Sequence, residues 1–184
     1  KVALIAGGSI LDITDDTAVD ITASELILSA GAAIADKDNH LETSVAYITT
    51  SSSNGGTWIT ESDSVEVKSL SLTVDRIIET GGLYTTQPSA SQSNLSCSRH
   101  LVLVASGSIT TNATGGALSA GSNILVKAGG TTSDITLNAT VTSSAGSISF
   151  DAGLKIQQNS TITVSGGSGT VDLLAGGSIE MQQG

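Results

Sequence analysis

The stretch VDLLAGGSIEM, residues 171–181, places a short apolar run before Ala-Gly-Gly-Ser and then resumes with apolar residues. The chain opens with almost the same sequence, VALIAGGSI, at residues 2–10. Four related phrases begin at Leu26, Leu101, Ile124 and Ile148. Successive phrases start at a nearly constant spacing, apart from one interval, between Leu26 and Leu101, that is about three times as long. Such spacing indicates one irregular region inside a repeating array.

The repeats have the pattern of strands rather than of helices. Apolar and polar residues alternate in ITL at residues 135–137, ISF at 148–150 and ITV at 162–164, which is typical of a sheet with one buried face. β-Branched residues and glycine both disfavour helix. Only 2% of the residues are aromatic, so the core has to be aliphatic. We therefore expect an all-β fold.

The repeat length, roughly 23 to 24 residues, has room for three short strands and three short turns. If each repeat is one turn of a coil, equivalent strands stack as parallel sheets about 4.8 Å apart. The recurring AGG then marks a corner, where only small residues fit. The sequence predicts a right-handed parallel β-helix, that is, a β-solenoid with three strands per coil, and residues 1–184 form a single segment of it.

The middle of the chain breaks this pattern. Strand-like stretches persist at residues 44–50, 57–62 and 70–77, so we expect the solenoid to continue through part of the region. Residues 35–42 and 83–100 are rich in polar residues and are predicted to be surface loops. We interpret both as passive loops, because neither has a set of aromatic anchors for a partner, Tyr84 being the single aromatic residue of the two.

Charge excludes some classes of partner. The net charge is −10, with only seven Lys and Arg residues, and the acidic residues are concentrated before residue 80. Such a surface repels phosphate, so nucleic-acid binding is not expected. No apolar run approaches the roughly 20 residues of a membrane span, so membrane insertion is not expected. The apolar run after Lys1 is too short for a secretory signal.

Isolated residues give weak signals for chemistry. Cys97 is the only cysteine, which excludes an internal disulfide. His40 and His100 lack zinc-ligand spacing, and we interpret Trp58 as a filler of the core or of a strand edge. Four Asn-x-Ser/Thr sequons, which arise easily by chance in a chain rich in Ser and Thr, lie at Asn94, Asn112, Asn138 and Asn159.

Two clusters of acidic residues are the remaining candidate sites. The first is LDITDDTAVD, with Asp20 at its end; if it binds calcium, we expect the ligands to be Asp12, Asp15 and Asp16. The second is ITESDSVEV, followed by Lys68 and Arg76; its acids are Glu61, Asp63 and Glu66. Paired carboxylates could serve a polysaccharide-active enzyme, for which Asp15 and Glu61 would be the first residues to test. A solvated acidic face is the commoner meaning of such clusters, and we expect no catalysis.

The ordered series LETS at residues 41–44, ITESD at 59–63 and NILVKAGG at 123–130 resembles the long tandem repeats of giant bacterial surface exoproteins. Those repeats are similar to filamentous-haemagglutinin and autotransporter-type adhesins. The resemblance covers roughly residues 2–181 and is weakest over 83–100, where Cys97 is a departure. It implies an exported, elongated, non-enzymatic protein, extracellular or at the cell surface, and no cofactor or catalytic residues.

The expected function is therefore an adhesive or structural filament, or a stalk at the cell surface. The sequence starts and stops in a strand phrase without a capping element, so we expect end-to-end self-association or tandem copies of the repeat. A cell-surface glycan or protein is the other expected partner, recognised by the acidic first part or by residues 83–100. The alternatives are a polysaccharide-active β-helix enzyme and a glycan-binding module.

Overall fold

A computed structural model of the chain describes residues 1–14, 16–73, 75–77, 84–86 and 90–182. All regular structure in these residues is β-strand. The strands, in chain order, are β1 (Val2–Ala6), β2 (Ile21–Ala30), β3 (Leu41–Ser52), β4 (Thr57–Glu61), β5 (Val65–Val67), β6 (Leu70–Leu72), β7 (Asp75–Ile77), β8 (Tyr84–Thr86), β9 (Ala90–Gln92), β10 (Leu95–Cys97), β11 (Leu101–Ala105), β12 (Ile109–Thr111), β13 (Leu118–Ala120), β14 (Ile124–Ala128), β15 (Ile135–Leu137), β16 (Val141–Ser143), β17 (Ile148–Ala152), β18 (Lys155–Gln158), β19 (Ile162–Val164), β20 (Val171–Ala175) and β21 (Ser178–Met181).

Parallel pairing winds 17 of these strands into a solenoid of about 7 turns. Face 1 stacks β4, β11, β14, β17 and β20. Face 2 stacks β5, β12, β15, β18 and β21. Face 3 stacks β1, the second halves of β2 and β3, and then β10, β13, β16 and β19.

The register follows the sequence repeat. On face 1, Leu101 pairs with Ile124, Ile124 with Ile148, and Ile148 with Val171. These are the first residues of successive phrases, so one repeat is one turn. The predicted all-β parallel β-solenoid with three strands per coil is confirmed.

The core is a set of aliphatic columns that run along the solenoid axis. Within each strand the inward residues are buried and the residues between them are partly or fully exposed, as the period of two requires. One column joins Ile59, Leu103, Val126 and Phe150, each at most 1% exposed. Burying a side chain of this size contributes about 1.5–3 kcal/mol. The only phenylalanine of the chain is thus a core residue.

Corner glycines let successive turns approach closely. A Cβ atom on Gly153 would lie 1.8 Å from the carbonyl oxygen of Gly130, in the turn beneath. A Cβ on Gly121 would lie 2.0 Å from the carbonyl oxygen of Ser98. No side chain fits at such distances, which explains physically why small residues mark the corners.

The long interval in the repeat contains a β-hairpin and a change of face, because the phrase at Leu26 lies on face 3 and the phrases from Leu101 onward lie on face 1. Strand β6 pairs antiparallel with β9, and β7 pairs antiparallel with β8, so these four strands lie outside the solenoid, between faces 2 and 3. Leu70 and Leu72 of this hairpin cluster with Ile27 on the outside of face 3. The stretch 70–77, one of those predicted to be strand-like, therefore contributes Leu70–Leu72 and Asp75–Ile77 to the hairpin rather than to the solenoid.

The structure also differs from the expected surface loop at residues 83–100. Residues 90–92 form a strand of the hairpin, and β10 belongs to face 3, with Leu95 fully buried. Residues 83 and 87–89 of the expected loop lie outside the described residues. This strand is not evident in the sequence, because residues 95–97 are too few and too poor in apolar side chains to show a strand pattern. It becomes recognisable only through the strands of adjacent turns with which it pairs.

The segment expected as a loop at residues 35–42 is split between a turn and a strand. The Asp36 carboxylate accepts the backbone N–H groups of Asp38 at 2.8 Å and Asn39 at 3.0 Å, which closes a tight turn. Leu41 and Glu42 already belong to β3. Among the described residues, no helix is long and apolar enough to cross a membrane.

Candidate functional site

An acidic cluster lies where the first two turns leave face 1. One carboxylate oxygen from each of Asp12, Asp20 and Glu42 lies within 4.8 Å of the others. The Asp20 carboxylate accepts the Glu42 backbone N–H at 3.2 Å. The Asn39 amide donates to the Asp12 carbonyl at 3.2 Å and so ties the loop after Ile10 to the next turn.

The electrostatics of this cluster centre on Glu42. Burial raises the pKa of Glu42, and the neighbouring charges of Asp20, Asp12 and Asp16 raise it further. Its Oε2 atom is buried and has no hydrogen-bond partner among the described residues. Three such carboxylates supply the oxygen ligands that a hard divalent cation prefers.

The set that the structure brings together differs from the predicted calcium ligands Asp12, Asp15 and Asp16. Asp12 is part of the cluster, whereas the Asp16 carboxylate accepts the backbone N–H of Ala18 at 2.7 Å and closes a local turn. Asp15 lies outside the described residues. Sequence reasoning missed Asp20 and Glu42 as a pair, although their stacking in adjacent turns, with Asp20 N–H bound to Glu42 C=O at 2.9 Å, follows from the coil.

The second acidic cluster does not form one open site. Glu61 is fully buried, Asp63 is exposed, and Glu66 accepts a hydrogen bond from the Asn112 side chain at 2.7 Å. The carboxyl group of Glu61 thus has no access to a polysaccharide. Its role has to be sought inside the solenoid.

Glu61 satisfies backbone groups at a bend of β3. The Thr43 hydroxyl donates to Glu61 Oε2 at 2.7 Å, and the Val45 N–H donates to the carboxylate at 3.1 Å. Burial raises the pKa of Glu61 to about 7, against the lowering effect of the Thr43 bond. The next turns place an alanine at this corner, namely Ala105, Ala128, Ala152 and Ala175. The Glu61 carboxylate therefore supplies hydrogen-bond acceptors at the point where β3 passes from face 1 to face 2.

A groove of about 480 Å³ runs along the outer surface of face 1. Trp58, Val102 and Leu125 lie side by side on its floor, since they are register partners on β4, β11 and β14. His100 and Asn123 lie beside them. Trp58 packs against the core cluster, in agreement with its predicted role as a filler. Its indole also lines an open groove.

Other predicted candidates occupy structural positions. Cys97 replaces the small residues Ser52 and Ala120 of the neighbouring turns, and burial raises the pKa of its thiol to about 11. His40 contacts the Thr60 hydroxyl at 2.9 Å, and burial lowers its pKa. The described residues do not bring the two histidines and Cys97 together as a metal-ligand group.

Three of the four sequons have a structural origin. Asn112, Asn138 and Asn159 follow face 2 at the same point of successive turns, where each backbone N–H bonds to the turn beneath. The Asn159 side chain donates to the Asn138 side chain at 2.7 Å, as in the asparagine ladders of stacked strands. The fourth, Asn94, has a positive φ of 73° and accepts the Ala117 N–H.

The terminal turns expose residues that are buried elsewhere in the solenoid. Val171, Ile179 and Met181 stand in inward register, yet they are 43%, 43% and 65% exposed. At the opposite end, Leu4 is 37% exposed although its partner Leu28 is fully buried. The candidate sites are thus an acidic cluster, a lateral groove and two apolar ends. The chain matches no protein-family model, no curated protein and no solved structure.

Proposed function

We propose that this chain is a segment of an extracellular or cell-surface filament or stalk, with a structural and adhesive role and no catalysis. The observation that carries the proposal is the constant parallel register of all three faces. Each turn presents the same three faces as the turn beneath it. Such an array extends by adding turns and has no need of a new fold.

The stacking gives the segment mechanical stiffness. Backbone hydrogen bonds run along the axis at every turn, for example Ile124 N–H to Ser147 C=O at 2.9 Å and Ile148 N–H to Thr170 C=O at 2.8 Å. Aliphatic columns lie inside these ladders. A protease needs a locally opened backbone, and such an opening breaks bonds to the turns on both sides.

The ends of the solenoid favour continuation along the axis. Strands β20 and β21 pair with the turn beneath, and on their outer edge no described residue pairs with them. Further turns, supplied by the same chain or by a second copy, would cover Val171, Ile179 and Met181. The parallel edge would then gain partners for its free N–H and C=O groups.

The filament proposal is tested by the shape and assembly of the protein in solution. We expect sedimentation to show concentration-dependent association, and small-angle scattering to show a maximum dimension that grows by about 34 Å for each added copy of about 7 turns at 4.8 Å each. Ile179→Lys at an end is expected to abolish this association, whereas Leu154→Lys, on a lateral corner with the same 43% exposure, leaves it intact. A maximum dimension that does not grow with protein concentration, or equal effects of the two substitutions, contradicts the proposal.

The location is tested separately on intact cells that produce the full-length parent chain. We expect antibodies against this segment to label the cells before permeabilisation. We also expect extracellular protease to remove the label only slowly, because the solenoid backbone is bonded on both sides. Labelling that requires permeabilisation excludes a surface filament.

A further inference from the structure

The groove on face 1 combines an apolar floor with polar groups along one side. Its floor is the ladder of Trp58, Val102 and Leu125, which belong to three successive turns. Adjacent turns lie about 4.8 Å apart, so this apolar floor is about 10 Å long. A flat apolar strip of that length matches one or two pyranose rings.

The indole of Trp58 occupies space that is open because residue 56 is glycine. Gly56 precedes Trp58 by two residues, and a Cβ atom on Gly56 would lie 2.3 Å from Cη2 of the indole. The ring therefore lies across the backbone at Gly56, where a side chain would exclude it. An aromatic ring fixed in this way binds a ligand without paying for its own ordering.

Polar groups border one side of the floor. His100 and Asn123 immediately precede β11 and β14, and Ser147 continues the row before β17. Asn123 Oδ1 accepts the Ser147 backbone N–H at 2.9 Å, which fixes the amide. Its Nδ2 group and the His100 ring nitrogens have no hydrogen-bond partner within the described part of the chain, so the amide donor and the imidazole, which offers one donor and one acceptor when neutral, are available to a ligand.

The charges around the groove select a neutral ligand. None of the described carboxylates lines it, in a chain with a net charge of −10. The lining cation, Lys37, is already paired with Asp38. An anionic sugar would gain no unpaired lysine and would meet the field of the acidic surface, whereas a neutral sugar carries no such cost.

We propose that this groove binds a neutral pyranose unit of a glycan. The C–H face of the sugar stacks on the Trp58 indole and on the aliphatic side chains of Val102 and Leu125. Its hydroxyl groups exchange hydrogen bonds with the Asn123 amide, the His100 imidazole and the Ser149 hydroxyl, which also lines the groove. The proposal does not depend on the filament, because the groove lies on the side of the solenoid and is complete in one copy.

The chain contains a single tryptophan, so its fluorescence reports directly on this groove. We expect neutral disaccharides of glucose, galactose or mannose to change the Trp58 emission in a saturable way, with Kd on the order of 1 mM for such a shallow site. Disaccharides that contain glucuronate are expected to bind at least about tenfold more weakly. Calorimetry or ligand-observed NMR then measures binding in the variants.

Trp58→Ala is expected to weaken binding at least about tenfold, and Asn123→Ala about three- to tenfold, as the loss of one hydrogen bond predicts. Gly56→Ala displaces the indole and is expected to weaken binding while Trp58 remains in the chain. Val104→Ala, on the same face but outside the groove lining, is the matched control and keeps wild-type affinity. Circular dichroism establishes that each variant is folded.

Three results overturn the proposal. The first is that no neutral sugar in the panel binds. The second is that Trp58→Ala, folded, binds as well as Val104→Ala does. The third is that glucuronate disaccharides bind as tightly as neutral ones.

Discussion

At the scale of single residues, Glu61 makes the stability of the solenoid depend on pH. Its pKa is raised from 4.5 in an exposed chain to about 7 in the folded protein, chiefly by burial. The raised pKa means that the folded state favours the protonated carboxyl group. The resulting stability is fully present below about pH 4.5 and is lost as the pH rises through 7. This difference between the two pKa values corresponds to a change in unfolding free energy on the order of 3 kcal/mol.

We expect Glu61→Gln to remove this part of the pH dependence. The amide keeps an acceptor for the Thr43 hydroxyl and the Val45 N–H but has no charge to bury. Urea unfolding between pH 4.5 and 8 measures the difference in unfolding free energy between the variant and the wild type, which is expected to shift in favour of the variant as the pH rises. A difference that stays constant over this range contradicts the assigned role.

Glu61→Ala supplies the matched comparison, since alanine is the residue that later turns have at this corner. We expect it to lose the same pH dependence and to be less stable than Glu61→Gln at every pH. The alanine leaves the buried Val45 N–H and Thr43 hydroxyl without this acceptor, which costs about 1–3 kcal/mol for each unsatisfied group. Equal stability of the two variants would mean that neither hydrogen bond matters.

Particular residues show how far the sequence alone could lead. Strands and turn length were predictable, because each turn needs small residues at its corners and the AGG phrase marks such corners. Which corner it marks was not predictable, since the phrases at Val2 and Leu26 end face 3 and the later ones end face 1. Glu61 was not recognisable as a core residue, since its partners at Thr43 and Val45 depend on the bend of β3. Trp58 was not recognisable as a groove residue, because the open floor beside it forms only when Val102 and Leu125 stack in register.

At the scale of elements, the corner glycines differ in how much space surrounds them. A Cβ on Gly153 would lie 1.8 Å from the Gly130 carbonyl oxygen, whereas a Cβ on the equivalent Gly129 would have an ordinary contact of 3.6 Å with the Ala105 carbonyl oxygen. We expect Gly153→Ala to cost about 1–3 kcal/mol, because backbone must shift to admit the methyl group.

Gly129→Ala is the control for this prediction, because it adds the same methyl group at the same corner of the preceding turn. We expect it to be neutral, or stabilising by up to about 1 kcal/mol through the reduced freedom of the unfolded chain. Thermal unfolding of both variants measures the difference. Similar melting temperatures would show that the close approach at Gly153 is not needed for stacking.

The hairpin formed by β6, β7, β8 and β9 could not be predicted from the sequence either, for a physical reason. Its strand LSL alternates apolar and polar residues as the solenoid strands do, and the pattern alone gives no direction of pairing. Its buried partner, Ile27, faces outward from face 3 and belongs to a different turn. Only the packed structure brings the two together.

We expect the solenoid to fold without this hairpin. In the next turn, residues 112–117, NATGGA, make the same connection from face 2 to face 3. Thr111 pairs with Val67 and Leu118 pairs with Leu95, so NATGGA can replace residues 68–94. The replacement is expected to retain cooperative unfolding but to lose about 2 kcal/mol, since it uncovers Ile27. Circular dichroism and urea unfolding measure both quantities.

Ile27→Thr separates the two contributions of the hairpin. In the intact chain it is expected to destabilise, because it places a hydroxyl beneath Leu72. In the shortened chain it is expected to be nearly neutral, since residue 27 then faces water. Loss of the β-sheet signal in the shortened chain, with or without Ile27→Thr, would mean that the hairpin is required for the fold.

At the scale of the whole molecule, stability should vary along the solenoid axis. Each turn contacts the turns beside it, so the free energy that opens a turn is nearly a sum of local interface terms. Central strands such as β11 and β14 bury all their inward residues, whereas β20 and β21 leave theirs partly exposed. Exchange of backbone amides should follow this gradient.

We therefore expect hydrogen exchange to be slowest in β11, β14 and β17 and progressively faster toward β1 and toward β20 and β21. If end-to-end association covers the terminal edges, raising the protein concentration should slow exchange in β1, β20 and β21 and leave β14 unchanged. Ile179→Lys should remove this concentration dependence, while Leu154→Lys should preserve it. Uniform protection along the axis would instead mean that the segment opens as one unit, and it would contradict the picture of stacked turns held mainly by their nearest neighbours.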